Sequence, residues 1–180
     1  MMRKLEKGVI ISKDTFYEGQ RILLDFMQNF DEHDYILVGN TNSGFIAVAS
    51  ETHFSPNYLP RRFRFNIGAL HQYILTSEKE VKYADELKSG DTVLIGKKDK
   101  YCELPIARVK KEIRPFVKIT CECNGLNISA ILQTDATTAL LTENGLKLLD
   151  DIAVGDEILV FPWGKATHLG TVKNEFCEEF

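Results

Sequence analysis

The 180-residue sequence contains no run of about 18 apolar residues, so it predicts no transmembrane helix. Its basic first residues are followed by neither a long apolar segment nor a small-residue cleavage site, so we expect a cytoplasmic protein. Basic residues are not in excess either, because 22 Lys and Arg face 26 Asp and Glu, a formal net charge of −4. Non-specific nucleic-acid binding needs a basic surface, and the composition argues against it.

Proline and cysteine are also scarce. There are 5 prolines and no Pro-, Gly- or Ser-rich linker, so the chain is predicted to form one domain or two small ones. A weak boundary in a polar stretch would divide it into an N-terminal β-rich subdomain, residues 1–77, and a C-terminal β-meander or barrel subdomain, residues 78–180. The 4 cysteines form no CxxC pair, so free thiols are expected, with Cys121 and Cys123 in the core.

Strand signals dominate what is present. Residues 116–123 alternate between apolar and polar side chains, and Asn124-Gly125 follows before another apolar run. Asn-Gly between two such runs is a strong hairpin signal, because both turn positions need a positive φ. Asn144-Gly145 repeats this arrangement later in the chain. We therefore predict a mainly β fold, a small barrel or meander-type β domains with a few short helical turns.

A glycine turn that precedes an apolar strand occurs three times, at Gly19, Gly90 and Gly155. Each turn would begin a strand, an arrangement typical of small barrels. Single helical turns are predicted before the last two copies, at residues 83–87 and 148–152. After the first copy, residues 20–30 fit both a strand period and a helix period, and the sequence leaves that choice open.

An arginine- and phenylalanine-rich segment in the first half of the chain holds several candidate site residues. With a period of two, His71 shares one face with phenylalanines and Tyr73, whereas Arg64, Asn66 and Gly68 share the other face. In one interpretation His71 is a hydrogen-bonded histidine of the core. In the other, Gly68 bends or bulges the strand and turns Asn66 and His71 toward a pocket.

Three groups that are far apart in sequence have the chemistry of a divalent-metal site. Glu51, His71 and His168 would combine a carboxylate with two imidazoles, which suits a divalent ion. The fold must bring them together in a solvent-reachable cleft for this to hold. The polar loop at residues 39–44 is not a Walker loop, because no Lys-Ser/Thr step follows it. Its turn chemistry favours a plain hairpin over an anion-binding loop, which stays an alternative.

Short motifs follow one another in a fixed order along the chain. They are Leu37-Val38-Gly39 with Glu51, Arg62 to Gly68, His71-Gln72-Tyr73, Gly90-Asp91, Arg108-Val109-Lys110, Arg114-Pro115, Leu132-Gln133, Gly155-Asp156 and His168-Leu169-Gly170. In this order they resemble the C-terminal half of the 3-dehydroquinate synthase II family of archaeal-type enzymes. That family also has an N-terminal domain, which the resemblance does not cover.

The resemblance implies NAD-dependent oxidative deamination of an amino sugar acid followed by ring closure, in aromatic precursor biosynthesis. Related enzymes form aminohydroxybenzoates with a divalent metal, so either NAD or manganese or magnesium is an expected cofactor. The expected catalytic residues are His71, Glu51, Asn66 and Tyr73. The expected ligands of the small-molecule substrate are Arg64, Lys82, Arg114 and Gln133. The expected metal ligands remain Glu51, His71 and His168.

Two other classes of function stay open. The chain would be a non-catalytic β-barrel subunit if a separate protein carries the N-terminal half. It would be a small-molecule-binding module if it retains the binding pocket of the family but catalyses no reaction. A homo-oligomer is compatible with each of these functions.

Overall fold

The computed structural model describes residues 4–52, 59–135, 137–163, 166–167, 172–173 and 178–180. Almost all regular structure in them is β-strand, and the helical elements are two single 3₁₀ turns, Ala84–Glu86 and Leu149–Asp151. The prediction of a mainly β fold with short helical turns is confirmed. Within these ranges no helix has the length and apolar character needed to cross a membrane.

The strands are numbered in chain order. They are β1 (Glu6–Thr15), β2 (Gly19–Asp25), β3 (Tyr35–Gly39), β4 (Gly44–Ala49), β5 (Arg64–Ala69), β6 (Tyr73–Leu75), β7 (Val81–Tyr83), β8 (Thr92–Gly96), β9 (Tyr101–Pro105), β10 (Arg108–Arg114), β11 (Phe116–Cys123), β12 (Leu126–Gln133), β13 (Ala139–Thr142), β14 (Gly145–Leu148), β15 (Glu157–Pro162), β16 (Ala166–Thr167) and β17 (Val172–Lys173).

One antiparallel sheet of twelve strands runs in the order β12-β11-β1-β15-β4-β3-β6-β7, with β8-β9 attached to β3 and β13-β14 attached to β4. Its strands come from both sides of residue 77. The hairpin of β6 and β7 spans the polar stretch in which the sequence predicted a subdomain boundary. The main sheet is therefore continuous across residue 77.

Both predicted Asn-Gly hairpins are present. Between β11 and β12, Asn124 and Gly125 have φ values of 51° and 78°, as a two-residue turn with both positions at positive φ requires. The second turn lies one residue earlier than expected. Thr142 pairs with Gly145, so the two residues between them form the turn and Gly145 has the positive φ, 113°.

The repeated glycine turns also occur as predicted in the second half of the chain. Each 3₁₀ turn leads to a glycine at positive φ, Gly90 at 92° and Gly155 at 96°, and then to β8 or β15. Gly19 begins β2 without a positive φ. Residues 20–30, which fitted both a strand period and a helix period, form a strand as far as Asp25.

A small antiparallel sheet, in the order β10-β2-β5, lies over the main sheet. Its inner face carries Ile22, Leu24, Phe65 and Ile67, all fully buried in the largest apolar cluster. Because side chains alternate along a strand, the same pairing places mainly polar side chains on the outer face. That outer face forms the candidate site.

Gly68 and Gln72 hold β5 against β12. Gly68 has a φ of 75°, and the β2–β5 register shifts beside it, so the predicted bulge is confirmed. A Cβ at this position would overlap the carbonyl oxygen of Ile131. Gln72 is fully buried and donates hydrogen bonds of 2.9 Å to the carbonyls of Ile67 and Ile131, while its Oε1 accepts one of 2.7 Å from Ile131 N. Its polar atoms are thus satisfied within the core.

The cysteines of the β11 strand belong to the core, as predicted. Cys121 and Cys123 are buried free thiols, and Cys102 is also free. Burial raises the pKa of Cys121 to about 12 and that of Cys123 to about 11, so both stay protonated at neutral pH. Cys177 lies outside the described residues.

Candidate functional site

The outer face of the β10-β2-β5 sheet is mainly polar, with Leu23 as an apolar residue at its centre. The register brings oppositely charged residues together across the strands, with Asp25 opposite both Arg64 and Arg108, and Arg21 opposite Glu112. Cross-strand partners of this kind lie within side-chain reach of one another. The face is completed by Asn66, Lys110 and Arg114.

This face is one wall of a cleft of about 380 Å³, which we call the arginine cleft. It is lined by Arg21, Glu51, Arg61, Arg64, Lys110, Glu112, Arg114, Gln133, Asp135 and Thr137. Five of these side chains are cationic and three are acidic, which gives the lining a formal charge of +2. A cleft of this size and charge fits a small anionic molecule.

Asp25 pairs with the cations at one end of this face. It is 2% exposed and accepts hydrogen bonds from Arg64 Nε at 2.7 Å, from Arg64 Nη2 at 3.1 Å and from Arg108 Nε at 2.8 Å. Burial alone would raise the pKa of Asp25, but the two guanidinium groups outweigh it and hold the pKa below its ordinary value. Arg64, an expected substrate ligand, therefore donates hydrogen bonds from two of its nitrogen atoms to Asp25.

Arg21, Gln133 and Asn66 form a hydrogen-bond network beside this pair. Gln133 Oε1 accepts from Arg21 Nη1 and, at 2.9 Å, from Asn66 Nδ2, and Asn66 Oδ1 accepts from Gly68 N at 3.2 Å. Arg21 Nη2 lies 3.3 Å from Glu112 Oε1. Arg21 Nε is buried with no hydrogen-bond partner in the described part of the chain. Burial lowers the pKa of this guanidinium, although an arginine stays charged in proteins.

Glu51 lies across the cleft, just after β4, where its N–H donates to the carbonyl of Arg64 at 2.9 Å. It is 5% exposed, and burial raises the pKa of its carboxyl group against the opposing effect of Arg64 and Arg61. Its Oε2 lies 3.5 Å from Arg61 Nη1 but makes no hydrogen bond to any residue that the structure describes. A buried carboxyl group with a raised pKa that lines a cleft is a candidate for proton transfer.

His71 belongs to a second polar group, at the closed end of the β3–β4 hairpin. Its Nε2 lies 2.7 Å from Asn40 Oδ1, and Asn40 Nδ2 donates to Ser129 Oγ at 3.1 Å. We call these three residues the histidine turn. Partial burial of the imidazole lowers the pKa of His71 below its ordinary value.

The interpretation of His71 as a core histidine is wrong, because the residue is exposed. The bulge at Gly68 and the end of β5 at Ala69 stop the alternation before it reaches position 71. His71 therefore lies in the turn between β5 and β6 rather than in the apolar row that a period of two predicts.

The structure does not bring His71 and Glu51 together. Asn40, the partner of His71, follows β3 at the closed end of the hairpin, whereas Glu51 follows β4 at its open end. At about 3.3 Å per residue, roughly 20 Å of strand separates these two levels. His71 does not line the arginine cleft. His168, the third expected metal ligand, lies outside the described residues.

Two further expected residues also lie away from the cleft. Tyr73 donates its hydroxyl proton to Glu179 Oε2 at 2.8 Å and stacks on Tyr83, with ring centroids 5.2 Å apart. Lys82 Nζ lies 3.6 Å from the carboxylate of Asp91. The expected residues that the structure does bring together in or beside the cleft are Glu51, Arg64, Asn66, Arg114 and Gln133.

A larger cavity of about 640 Å³ lies elsewhere, between Leu5, Tyr35, Leu141, Leu159 and Lys97. Its lining includes none of the catalytic, substrate-binding or metal-binding residues that the sequence predicted. Some buried polar side-chain atoms have no hydrogen-bond partner in the described part of the chain. None of these atoms belongs to a residue that lines this cavity. The arginine cleft has two such atoms, so it is the stronger candidate site.

A model of the family described as the 3-dehydroquinate synthase II C-terminal domain matches residues 9–180. The chain belongs to the 3-dehydroquinate synthase II family. The resemblance that the ordered motifs indicated is thereby confirmed, including its restriction to the C-terminal part of the family.

Proteins named 3-dehydroquinate synthase show the same relationship. The one from Methanococcus maripaludis is 34% identical over 178 residues, which are 98% of this chain and 49% of the relative. That of Methanocaldococcus jannaschii is 35% identical over 173 residues, which are 95% of this chain and 48% of the relative. That of Haloquadratum walsbyi is 32% identical over 173 residues, which are 96% of this chain and 43% of the relative. The chain thus spans about half the length of the curated relatives it matches. No solved structure matches it.

The cofactors that the 3-dehydroquinate synthase II resemblance implies do not fit the arginine cleft. The described residues include no group of three or more His, Cys, Asp or Glu side chains placed to hold a metal ion, and the carboxylates of Glu51 and Glu112 each lie against an arginine. They also contain no glycine-rich strand–loop–helix unit of the kind that binds a dinucleotide pyrophosphate. The cleft suits a small acid better than either cofactor.

Sequence reasoning missed Arg21, Asp25 and Glu112, which organise the cleft. A signal for β10 was present, because its charged residues fall on every second position and predict a polar strand face. These residues are Arg108, Lys110, Glu112 and Arg114. Arg21 and Asp25 lie in the segment whose secondary structure the sequence left open, so their common face had no assigned geometry.

Proposed function

We propose that the arginine cleft binds the carboxylate of the substrate in a 3-dehydroquinate synthase II-type reaction, and that this chain contributes that part of the active site. The supporting observation is a buried donor, Arg21 Nε, and a buried acceptor, Glu51 Oε2, that make no hydrogen bond to the described residues, in a cleft of net positive charge. Buried polar atoms without a hydrogen bond are costly; a ligand carboxylate would accept from Arg21 Nε–H, and a ligand hydroxyl would donate to Glu51.

The proposed reaction is oxidative deamination of a linear amino sugar acid followed by ring closure, in aromatic precursor biosynthesis. NAD would accept the hydride when the amine is oxidised. Because neither NAD nor a manganese or magnesium ion fits the cleft, we place the cofactor site in the half of the relatives' length that this chain does not span. The described residues would bind the acid and move protons.

In this proposal Glu51 acts as the acid/base group of the cleft. Its raised pKa brings the carboxyl group closer to neutral pH, where a proton carrier works best. The neighbouring guanidinium groups of Arg21 and Arg64 would stabilise negative charge that develops on an enolate during ring closure. His71 lies roughly 20 Å from the level of Glu51, too far for one small acid to reach both groups, so we assign it no proton transfer in this cleft.

The test combines this chain with a polypeptide that carries the N-terminal half of a relative such as the M. maripaludis protein. With NAD and a linear amino-keto acid we expect NADH and 3-dehydroquinate to form. The variant Glu51→Gln should lower turnover by roughly 100-fold, the usual size of an acid/base contribution. The control is Lys111→Gln, which removes a charge from the opposite face of β10 and should leave turnover unchanged. No turnover, together with no binding of 3-dehydroquinate in calorimetry, would contradict the proposal.

A second candidate function is a non-catalytic subunit or binding module. The match to about half of each relative favours it, because the remaining half could carry all of the chemistry. Binding of 3-dehydroquinate by this chain would then persist while the mixture shows no turnover. Turnover that depends on Glu51 would rule it out.

A further inference from the structure

We propose that Arg21 is the specificity-determining residue of the arginine cleft and binds the anionic group of the ligand through its Nε–H. The inference rests on the proposed function of the cleft as an acid-binding site. It differs from the expectation drawn from the sequence motifs, which placed this contact on Arg64 and Arg114.

The other cations at the cleft have their donors directed to protein acceptors. Arg64 gives Nε and Nη2 to Asp25. Arg114 gives Nη1 to a main-chain carbonyl at 2.8 Å and Nη2 to Glu112. Lys110 Nζ lies 3.4 Å from the same Glu112 carboxylate. These side chains provide positive charge, but a ligand would have to compete for most of their hydrogen bonds.

Arg21 is more buried than Arg114 and Lys110, and it differs from all three in having a buried donor atom without an acceptor. Its side chain is 9% exposed, its Nη1 donates to Gln133 and its Nη2 lies 3.3 Å from Glu112. Its Nε, by contrast, is buried and has no acceptor among the described residues. A buried N–H of a charged group without an acceptor loses its hydration without compensation. A ligand carboxylate at this edge would restore it with a charge-assisted hydrogen bond.

The guanidinium of Arg21 is also held in place before a ligand arrives. Gln133 binds it on one side and Glu112 on the other, and Asn66 fixes Gln133 through the same Oε1 atom. A donor whose orientation is already fixed binds with less loss of side-chain freedom than a mobile one. The side chain of Arg61, by comparison, is 41% exposed.

The experiment is calorimetric titration of 3-dehydroquinate into wild-type protein, Arg21→Lys and the control Lys111→Gln. Arg21→Lys keeps the charge but removes the Nε–H, so we expect affinity to fall roughly 10- to 100-fold, as for the loss of a hydrogen bond to a charged group. Lys111 lies on the opposite face of β10 and is 43% exposed, so its variant should bind as wild type does. Equal binding by wild type and Arg21→Lys would overturn the inference and leave the proposed function standing.

A second measurement uses wild-type protein alone, so it does not depend on the folding of a variant. The Nε–H resonance of Arg21, assigned through the bonds to its own backbone, should shift saturably with 3-dehydroquinate. Inorganic sulfate serves as a simple anion probe. A shift with sulfate but no binding of 3-dehydroquinate would overturn the proposed function alone. No shift with either probe would overturn the role of Arg21.

Discussion

The arginine cleft and the histidine turn are both polar, but they are built differently. In the cleft, charged side chains such as Asp25 and Arg64 are almost fully buried and hydrogen-bonded to one another. At the histidine turn, His71 is exposed, and its hydrogen bond among the described residues is to Asn40. Breaking a buried ion pair leaves an uncompensated charge, whereas an exposed imidazole can be removed at little cost. Substitutions in the cleft should therefore alter stability as well as binding, and those at the turn should not.

A single motif-rich segment supplies both regions. Arg64 and Asn66 belong to the cleft network, and His71 belongs to the turn, with the bulge at Gly68 between them. Closeness in sequence therefore does not mean a shared site here, because one glycine redirects the chain within a few residues.

The largest effect is expected from Asp25→Asn, which removes the buried charge that faces Arg64 and Arg108. The free energy of unfolding should fall by about 3–5 kcal/mol, the usual result of removing one partner of a buried ion pair. Urea denaturation measures it. The exposed pair of Asp85 and Lys111 provides the control, since Asp85→Asn should cost less than about 1 kcal/mol. Equal losses in the two variants would show that the cleft network is not a buried pair.

The contribution of Asp25 should also depend on pH. Its pKa is lower in the folded protein than in the unfolded chain, so the stabilisation is complete above a pH of about 4 and is lost as the pH falls through the folded pKa. The difference between wild type and Asp25→Asn should shrink accordingly in acid. A difference that does not change with pH would contradict the assigned pairing.

Gly68→Ala should have the next largest effect, because it disturbs the bulge that separates the two regions. The new Cβ would overlap the carbonyl oxygen of Ile131 at a φ of 75°, so we expect a loss of about 3 kcal/mol, combining steric and backbone costs. Gly90→Ala is a matched control, since its φ is also positive, 92°, and no atom lies within 4 Å of the added Cβ. It should lose only about 1 kcal/mol. Equal effects in thermal unfolding would remove the steric explanation.

Glu51→Gln should act in the opposite direction and stabilise the protein by about 1 kcal/mol at neutral pH. The raised pKa means that folding disfavours the ionised carboxylate. The contribution of protonated Glu51 to the stability of wild type is therefore lost as the pH rises through the folded pKa. The advantage of the variant should therefore vanish in acid, where Glu51 is protonated in both states. Melting temperatures measured across this pH range check it, and a destabilised variant at neutral pH would contradict it.

The smallest change in stability is expected from His71→Ala. The residue is exposed, and its hydrogen bond among the described residues is to Asn40, so the loss should be below about 1 kcal/mol, a shift of a few degrees in melting temperature. Turnover in the reconstituted mixture should stay close to that of wild type, because His71 does not line the arginine cleft. A loss of several kcal/mol would instead show that the histidine turn is a structural element.

Local turn chemistry made much of the fold predictable. The hairpin at Asn124-Gly125 and the glycine turns at Gly90 and Gly155 follow from a need for positive φ that few other residues meet. The 3₁₀ turns before those two glycines were predicted for the same local reasons. Each of these features depends on a few neighbouring residues, so a single sequence contains the information.

The cleft was less predictable because it depends on pairing between distant segments. Arg21 and Glu112 meet only through the register of β2 and β10, and Gln133 reaches them from a different sheet. The exposure of His71 depends on where the bulge at Gly68 ends β5. A period-two pattern describes one strand and contains no information on which strands lie side by side.

The most direct test of the account is the pattern of backbone amide resonances that 3-dehydroquinate perturbs in isotope-labelled protein. We predict saturable changes at Arg21, Asn66 and Gln133 in the cleft network, with the larger cavity beside Tyr35 and Leu141 unaffected. Changes centred on Tyr35 and Leu141, with the resonances of the arginine cleft unmoved, would contradict the account.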